Sequence, residues 1–343
     1  MIQTTHSMLK DGYTKRKIRR LSVNIFLIVL TVGLCLIMLL YGKTNYSLTT
    51  VTKVLLGEQI QGATFTIETL RLPRMLCGLL VGIAFGIAGN TFQTMLRNPL
   101  ASPDIIGISS GASVAAVFSI LVLHMSGSIV SIAAVISGIF LSFFIYILSK
   151  SSGFSSSRLI LIGIGIQAMA NALISFLLVK ASEYEVSNAL TWLSGSLNGI
   201  SIKEIPTLFV VVAIFGVIIL CLTNQLRILE LGDEFAITLG IKINLIRISL
   251  ILSSVFLIAF ATAVTGPIAF VAFLAGPISA RLVGFGAPNV FASGLVGAIL
   301  VLGADMIGQY VSSTRFPVGI ITGILGAPYM LLLLITMNRR GRA

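Results

Sequence analysis

Apolar residues do not alternate with polar ones along most of this chain; they gather in long unbroken runs separated by short polar or Pro- and Gly-punctuated stretches. Such runs cover residues 21–41, 75–95, 105–124, 129–148, 158–179, 205–222, 246–264, 268–283, 292–311 and 319–337. Each approaches the length needed to cross ~30 Å of hydrocarbon as a helix. The pattern predicts an all-α integral membrane protein of ten transmembrane helices. The seventh and eighth runs are parted only by Thr265-Gly266-Pro267, so a nine-span reading merges them. Ten is preferred, because one helix over 246–283 is far too long for a single crossing. The first run follows Lys15-Arg16-Lys17-Ile18-Arg19-Arg20 and exceeds the apolar core of a usual signal peptide, so it reads as a retained first span.

Composition agrees with a bilayer as solvent. Apolar residues make up 56% of the 343 positions and charged ones 10%, against about 25% charged in soluble domains. The 33 glycines suit membrane helices, whose backbones approach closely where side chains are small. A net charge of +12 raises the question of nucleic acid, but the basic residues sit in the short segments between apolar runs, which points to topology. With the N-terminus inside, most of the 23 Lys and Arg residues fall on inner segments, the exceptions being Lys43, Lys53, Arg71, Arg74, Lys180, Lys203 and Arg315. The expected topology is N-in/C-in. The expected organisation is a basic cytoplasmic tail (1–20), a permease domain (21–337) with a long inner segment at 223–242, and a second basic tail (338–343). Ten spans divide into two five-helix halves, and a half with an odd number of spans ends on the side opposite to its start, so an internal repeat must be inverted. The Pro-punctuated links 97–103 and 265–267 lend that repeat weak support.

Candidate chemistry is sparse. Cys35, Cys77 and Cys221 are scattered, and His6 and His124 are the only histidines; no metal site, disulfide framework or cofactor is expected. The phosphate-binding pattern GxxxxGK[ST] is missing, so ATP-driven work requires a separate ATPase. Asp305 alone lies well inside a span, where a charge costs about 2.5–3.5 kcal/mol on insertion scales. It is either a lining or coupling carboxylate or a packing acid, and the second is preferred because position 305 lies nearer the outer end than the midplane. In the inner segment, Leu231, Phe235 and Leu239 recur at helical spacing, with Gly232 and Gly240 as breaks. That pattern suits a helix lying on the membrane surface and a plug for a soluble ATPase equally well. On the outer side, Arg71-Leu72-Pro73-Arg74 opens the second span. Pro early in a helix and Arg at headgroup level explain it as a simple helix start. Two guanidiniums on the side that positive-inside statistics disfavour also suit docking of a partner's carboxylates.

Residues 71–112, reading RLPRMLCGLLVGIAFGIAGNTFQTMLRNPLASPDIIGISSGA, resemble the signature of FecCD-type ABC importer permeases for iron chelates, haem and cobalamin. The resemblance extends through Trp192-Leu193-Ser194-Gly195-Ser196-Leu197, 231–240, 265–271 and the PVGIITGILGAP run at 317–328. It implies a ten-helix subunit that works in a pair, with the substrate path between the two. It implies two cytoplasmic ATP-binding subunits gripping Leu231, Gly232, Asp233, Glu234, Phe235, Ala236, Leu239 and Gly240 as a coupling helix. It also implies an extracellular binding protein, a lipoprotein in Gram-positive bacteria, docking acidic residues on Arg71 and Arg74. Gln93, Asn98, Pro99, Pro103, Gly266, Pro267, Asp305 and Gln309 fall in its motifs or on the pathway. The chain departs from the family where Gln309 replaces a frequent Arg and Arg315-Phe316-Pro317 an acidic version, so a third docking cation is either displaced to Arg315 or lost. Pro277-Ile278 also stands where Pro-His is frequent. These traits favour the siderophore branch over haem or cobalamin, and with it a bacterial cytoplasmic membrane location, a ferric siderophore as cargo and a heterodimer with a second permease. An ion-driven secondary carrier is the competing class.

Overall fold

The computed structural model describes residues 2–150, 155–284, 289–311 and 314–340, and the regular structure among them is helical. In chain order the α-helices are α1 (Ile2–Leu40), α2 (Leu48–Leu55), α3 (Leu72–Met95), α4 (Ile108–Leu121), α5 (Ser128–Ser149), α6 (Ser156–Lys180) and α7 (Glu183–Leu193). They continue as α8 (Ile205–Cys221), α9 (Thr223–Leu231), α10 (Asp233–Thr238), α11 (Ile243–Thr265), α12 (Val271–Val283), α13 (Val290–Tyr310) and α14 (Val318–Arg340). Eight helical stretches among the described residues are long and apolar enough to cross a membrane; α4 and α12 are apolar but shorter.

Helix α3 forms the centre. In its stretch, Phe65–Met95, 83% of the most apolar window is buried, against 22% in α6. It packs on α8, α11, α12 and α13. Its glycines explain how. A Cβ at Gly82 would meet the backbone of Ala298 at 2.5 Å, and one at Gly86 or Gly89 would collide with the carbonyls of Ser293 and Ala272. Small residues at this spacing let α3 and α13 lie backbone to backbone, the packing open to membrane helices that gain nothing from excluding water.

The structure corrects several expected boundaries. The second span does not start at residue 75: a π-helical turn, Phe65–Arg71, leads directly into α3. Pro73 has no amide to donate to a regular helical ladder, and it sits in the first turn of α3, where that donor is not required. The third and eighth runs make helices of only 14 and 13 residues, α4 and α12. At 1.5 Å per residue these are about 20 Å long, short of a full crossing. In each, a residue of positive φ at the N-cap stops the helix from extending backwards: Gly107 at 74° for α4 and Phe270 at 66° for α12. The basic stretch before residue 21 is helical and continuous with the first span. Arg19 donates from Nε to the Leu282 carbonyl (3.1 Å) and from Nη2 to the Arg281 carbonyl (2.9 Å), satisfying acceptors at the C-terminal end of α12. Residues 341–343 of the second basic stretch lie outside the described residues.

Three motifs far apart in sequence converge where α7, α11 and α14 meet. Ser196 donates its amide to the Thr265 carbonyl (2.7 Å) and Gly319 to the Gly195 carbonyl (3.1 Å). Gly195 and Gly266 have φ of 66° and 74°, and a Cβ on either, or on Gly319, would strike a neighbouring carbonyl. Glycine is required here for both conformation and close approach.

Candidate functional site

On the side where the second span begins, a depression of about 610 Å³ collects Arg71, Arg74 and Arg315, together with Lys43. The four cations are not equivalent. Arg74 reaches down to Asp305 with both edges of its fork, Nε to Oδ2 at 2.8 Å and Nη2 to Oδ1 at 2.7 Å, while Nη1 donates to Asn198 Oδ1 at 2.6 Å. Gln309 Nε2 adds a bond to Asp305 Oδ2 at 2.6 Å. The Asp305 side chain is fully buried and that of Arg74 is 13% exposed. The carboxylate inside the span is therefore paired and hydrogen-bonded, the condition under which a buried charge is tolerated. Arg71 is also engaged: Nη1 donates to the Leu39 carbonyl (2.8 Å), Nη2 to the Thr44 carbonyl (2.5 Å), and its guanidinium lies over the Tyr46 ring. Lys43 and Arg315 are exposed. Asp305 and Arg74 stand 231 positions apart in the sequence, and nothing local links the two.

At the other end of α3 a cavity of about 970 Å³ opens between α3, α12 and α14. Asn90, Gln93 and Thr94 line its α3 wall, Asn98 and Pro99 its mouth, and Gly276 and Pro277 its α12 wall. Gln93 has a defined local task. Pro277 has no amide to give the carbonyl four residues earlier, at Phe273, and Gln93 Nε2 supplies that donor at 2.9 Å. The amide oxygen of Asn90, deeper in the wall, is buried without a hydrogen-bond partner. Asn98 closes its own turn, Oδ1 accepting from the Leu100 amide at 2.9 Å. Pro103 begins the 3-10 turn that precedes α4 and is buried, and Gly266 and Pro267 belong to the motif junction described above.

Beside this cavity the segment 223–242 folds as two short helices, α9 and α10, broken at Gly232, whose φ is 124°. Leu226, Leu229 and Ala236 are buried beneath it. Leu231, Phe235, Ile237 and Leu239 point away from the protein, each more than 60% exposed. Asp233 does not share that outward face. It receives Arg97 Nη2 at 2.7 Å and Arg247 Nη2 at 3.0 Å. Glu234 and Gly240 are exposed, the latter with φ of 77°. Among the described residues no group of three or more His, Cys, Asp and Glu side chains comes together as a metal site would require.

Residues 28–336 match the FecCD transport family. The chain is 33% identical over 327 residues to the ferric enterobactin transport system permease protein of Escherichia coli, covering 94% of this chain and 98% of that one. To the achromobactin transport system permease protein of Dickeya dadantii it is 38% identical over 299 residues, 86% of this chain and 85% of the relative. A solved structure of an inward-facing transporter assigned to the metal-chelate type of ABC transporter superposes with a TM-score of 0.80 at 27% identity, covering 92% of this chain and 99% of its own.

Proposed function

The chain belongs to the FecCD transport family, and on that premise we propose that it is the membrane-spanning permease of an ATP-driven importer passing a ferric siderophore across a bacterial cytoplasmic membrane. One observation carries the geometric part: a cationic depression and an exposed apolar segment lie at opposite ends of the same central helix, α3. The depression fits the acidic face of a substrate-binding protein outside. The segment 231–240 fits an ATP-binding subunit inside, since four large apolar side chains held in water there need a cover. Gln93, Asn98 and Pro99 border the inner cavity and are assigned to the cargo's exit. The siderophore rests on the two relatives, whose names specify enterobactin and achromobactin. The ion-driven alternative loses ground at Asp305, because the acid it needs for a proton relay is neutralised by Arg74.

In this reading α4 and α12 count as the third and eighth of ten spans, and both termini are cytoplasmic. Two features support an inverted repeat of five and five. The third helix of each half is the shortened one, entered through a positive-φ residue. In addition α3 packs on α12 and α13 while α11 packs on α4 and α5, the same relation with the halves exchanged. The full importer would hold a second permease subunit of a different sequence, two ATP-binding subunits and the binding protein.

The test is transport in proteoliposomes holding this chain with its partners. Loaded binding protein and internal ATP should give uptake of the ferric siderophore that persists when ion gradients are collapsed. Uptake of haem or cobalamin alone would overturn the cargo, and uptake that follows an ion gradient without ATP would overturn the class. Docking is tested by Lys43→Glu with Arg315→Glu rather than at Arg74, where a new carboxylate would face Asp305 and confound folding with binding. Desolvated charge pairs cost about 2–5 kcal/mol when broken and exposed ones about 0.2–1 kcal/mol. The double reversal should weaken binding-protein affinity at least tenfold, and wild-type affinity should itself fall with salt. Undiminished affinity would remove the depression as the docking site.

A further inference from the structure

Asp233 stands out in this segment because its half-exposed carboxylate turns back to the bundle while Leu231, Phe235, Ile237 and Leu239 around it face out. Its carboxylate joins three elements. Arg97 donates Nη2 to Oδ1 at 2.7 Å and, through Nε, holds the Leu229 carbonyl at 3.2 Å, so one guanidinium spans the break at Gly232 and grips both α9 and the start of α10. Arg247, on the second turn of α11 and with a side chain only 7% exposed, donates to both oxygens at 3.0 Å. Arg97 itself is continuous with α3: its amide bonds to the Thr94 carbonyl, and the next amide, Asn98, to that of Gln93. Its φ of 51° lies in the left-handed region, where a non-glycine residue needs its surroundings to hold it. At the far end of the same helix, Arg74 is tied to Asp305 under the outer depression. Helix α3 is thus anchored by an ion pair at each end, one beside each proposed docking surface.

We infer that Asp233 is the transmission contact of the permease, a positioning residue that passes movement of the α9–α10 segment to α3 through Arg97 and to α11 through Arg247. The inference rests on the reading of 231–240 as the contact for the ATP-binding subunit. A segment joined to the bundle only by exposed apolar side chains would bind that subunit and move without consequence. The two ion pairs give its displacement a direction into the two most central helices.

The experiment uses the assembled importer in lipid, comparing wild type with Asp233→Asn, Arg97→Gln and the double variant Phe235→Ala/Leu239→Ala. Measurements are co-purification of the ATP-binding subunits, siderophore taken up per ATP hydrolysed, and amide hydrogen exchange of residues 92–98 with and without ATP. Asp233→Asn and Arg97→Gln should keep the ATP-binding subunits at the wild-type ratio and keep the resting exchange of 92–98. They should lose its ATP-dependent change, and uptake per ATP should fall at least tenfold. The Arg97 and Asp233 side chains are 45% and 43% exposed, so neither change empties a buried site, and Arg97→Gln decides the matter if Asp233→Asn does not assemble. Wild-type uptake per ATP in Arg97→Gln, or resting exchange already raised without ATP, would overturn transmission. Normal co-purification of the double alanine variant would instead overturn the docking reading beneath it.

Discussion

At residue scale, the side chain whose environment governs its chemistry most strongly is Asp305. It sits in α13 fully buried and shares Arg74, Gln309 and, through Arg74, Asn198. A carboxylate with a two-pronged guanidinium is retained where a lone one would be expelled or protonated. Removing one partner of such a pair strands the other, at a cost of about 3–5 kcal/mol, whereas replacing both by apolar groups of similar volume is often neutral. Asp305→Ala should therefore lower the thermal stability of the purified permease sharply, and Arg74→Met with Asp305→Leu should recover most of it. Asp305→Asn should fall between, since its amide oxygen still accepts one Arg74 hydrogen bond without balancing the charge. Melting curves in detergent for the three variants check this order. A double variant as unstable as Asp305→Ala would mean that the pair is needed for more than mutual neutralisation.

At the scale of elements, α3 and α13 show how glycine spacing sets helix geometry. Their contact has no room for a methyl group at Gly86, where the carbonyl of Ser293 occupies the place of a Cβ. Gly86→Ala must push two backbones apart, and overpacking of this kind costs about 1–3 kcal/mol. Gly165 on α6 has nothing within 4 Å of a Cβ position, so Gly165→Ala should be neutral or slightly stabilising. Chemical or thermal denaturation of the two variants in lipid nanodiscs gives the comparison, and equal stability would show that α3 and α13 separate more easily than their contacts imply. The same scale explains α10. Six residues cannot hold a helix by hydrogen bonds alone. It is kept in place by the Asp233 ion pairs and by the burial of Ala236.

For the whole molecule, the arrangement of charge makes a prediction about sides. The proposed orientation, with both termini cytoplasmic, places the depression around Lys43 outside and α10 inside. In a chain whose Cys35, Cys77 and Cys221 are replaced by Ser, a cysteine at Lys43 should react with a membrane-impermeant maleimide added to intact cells. A cysteine at Ile237, 65% exposed, should react only after the membrane is opened. The reverse pattern would invert the topology, and labelling of both in intact cells would break the ten-span count at its middle.

The chain by itself determined the solvent, eight of its long helices and the family, because each is written in local terms. A run of about twenty apolar residues is long enough to cross a bilayer as a helix, and the block 71–112 is long enough to identify its relatives. It also marked the breaks at Gly232 and Gly266, since a positive φ is inexpensive only for glycine. Only the tertiary structure decided which arginine is free and which is spent. Arg71, Arg74 and Arg315 look alike in sequence, yet Arg71 holds backbone carbonyls, Arg74 holds Asp305, and Arg315 stands exposed. It likewise decided that Gln93 repairs the carbonyl left open by Pro277, and that Asp233 turns back to Arg97 and Arg247 while Leu231 and Phe235 on either side face out. The pairings of Arg74, Gln93 and Arg97 run across more than a hundred residues of chain, and even those of Arg71 reach back about thirty to another element. Their partners are selected by the packing of α3 against its neighbours, which no periodicity along the sequence encodes.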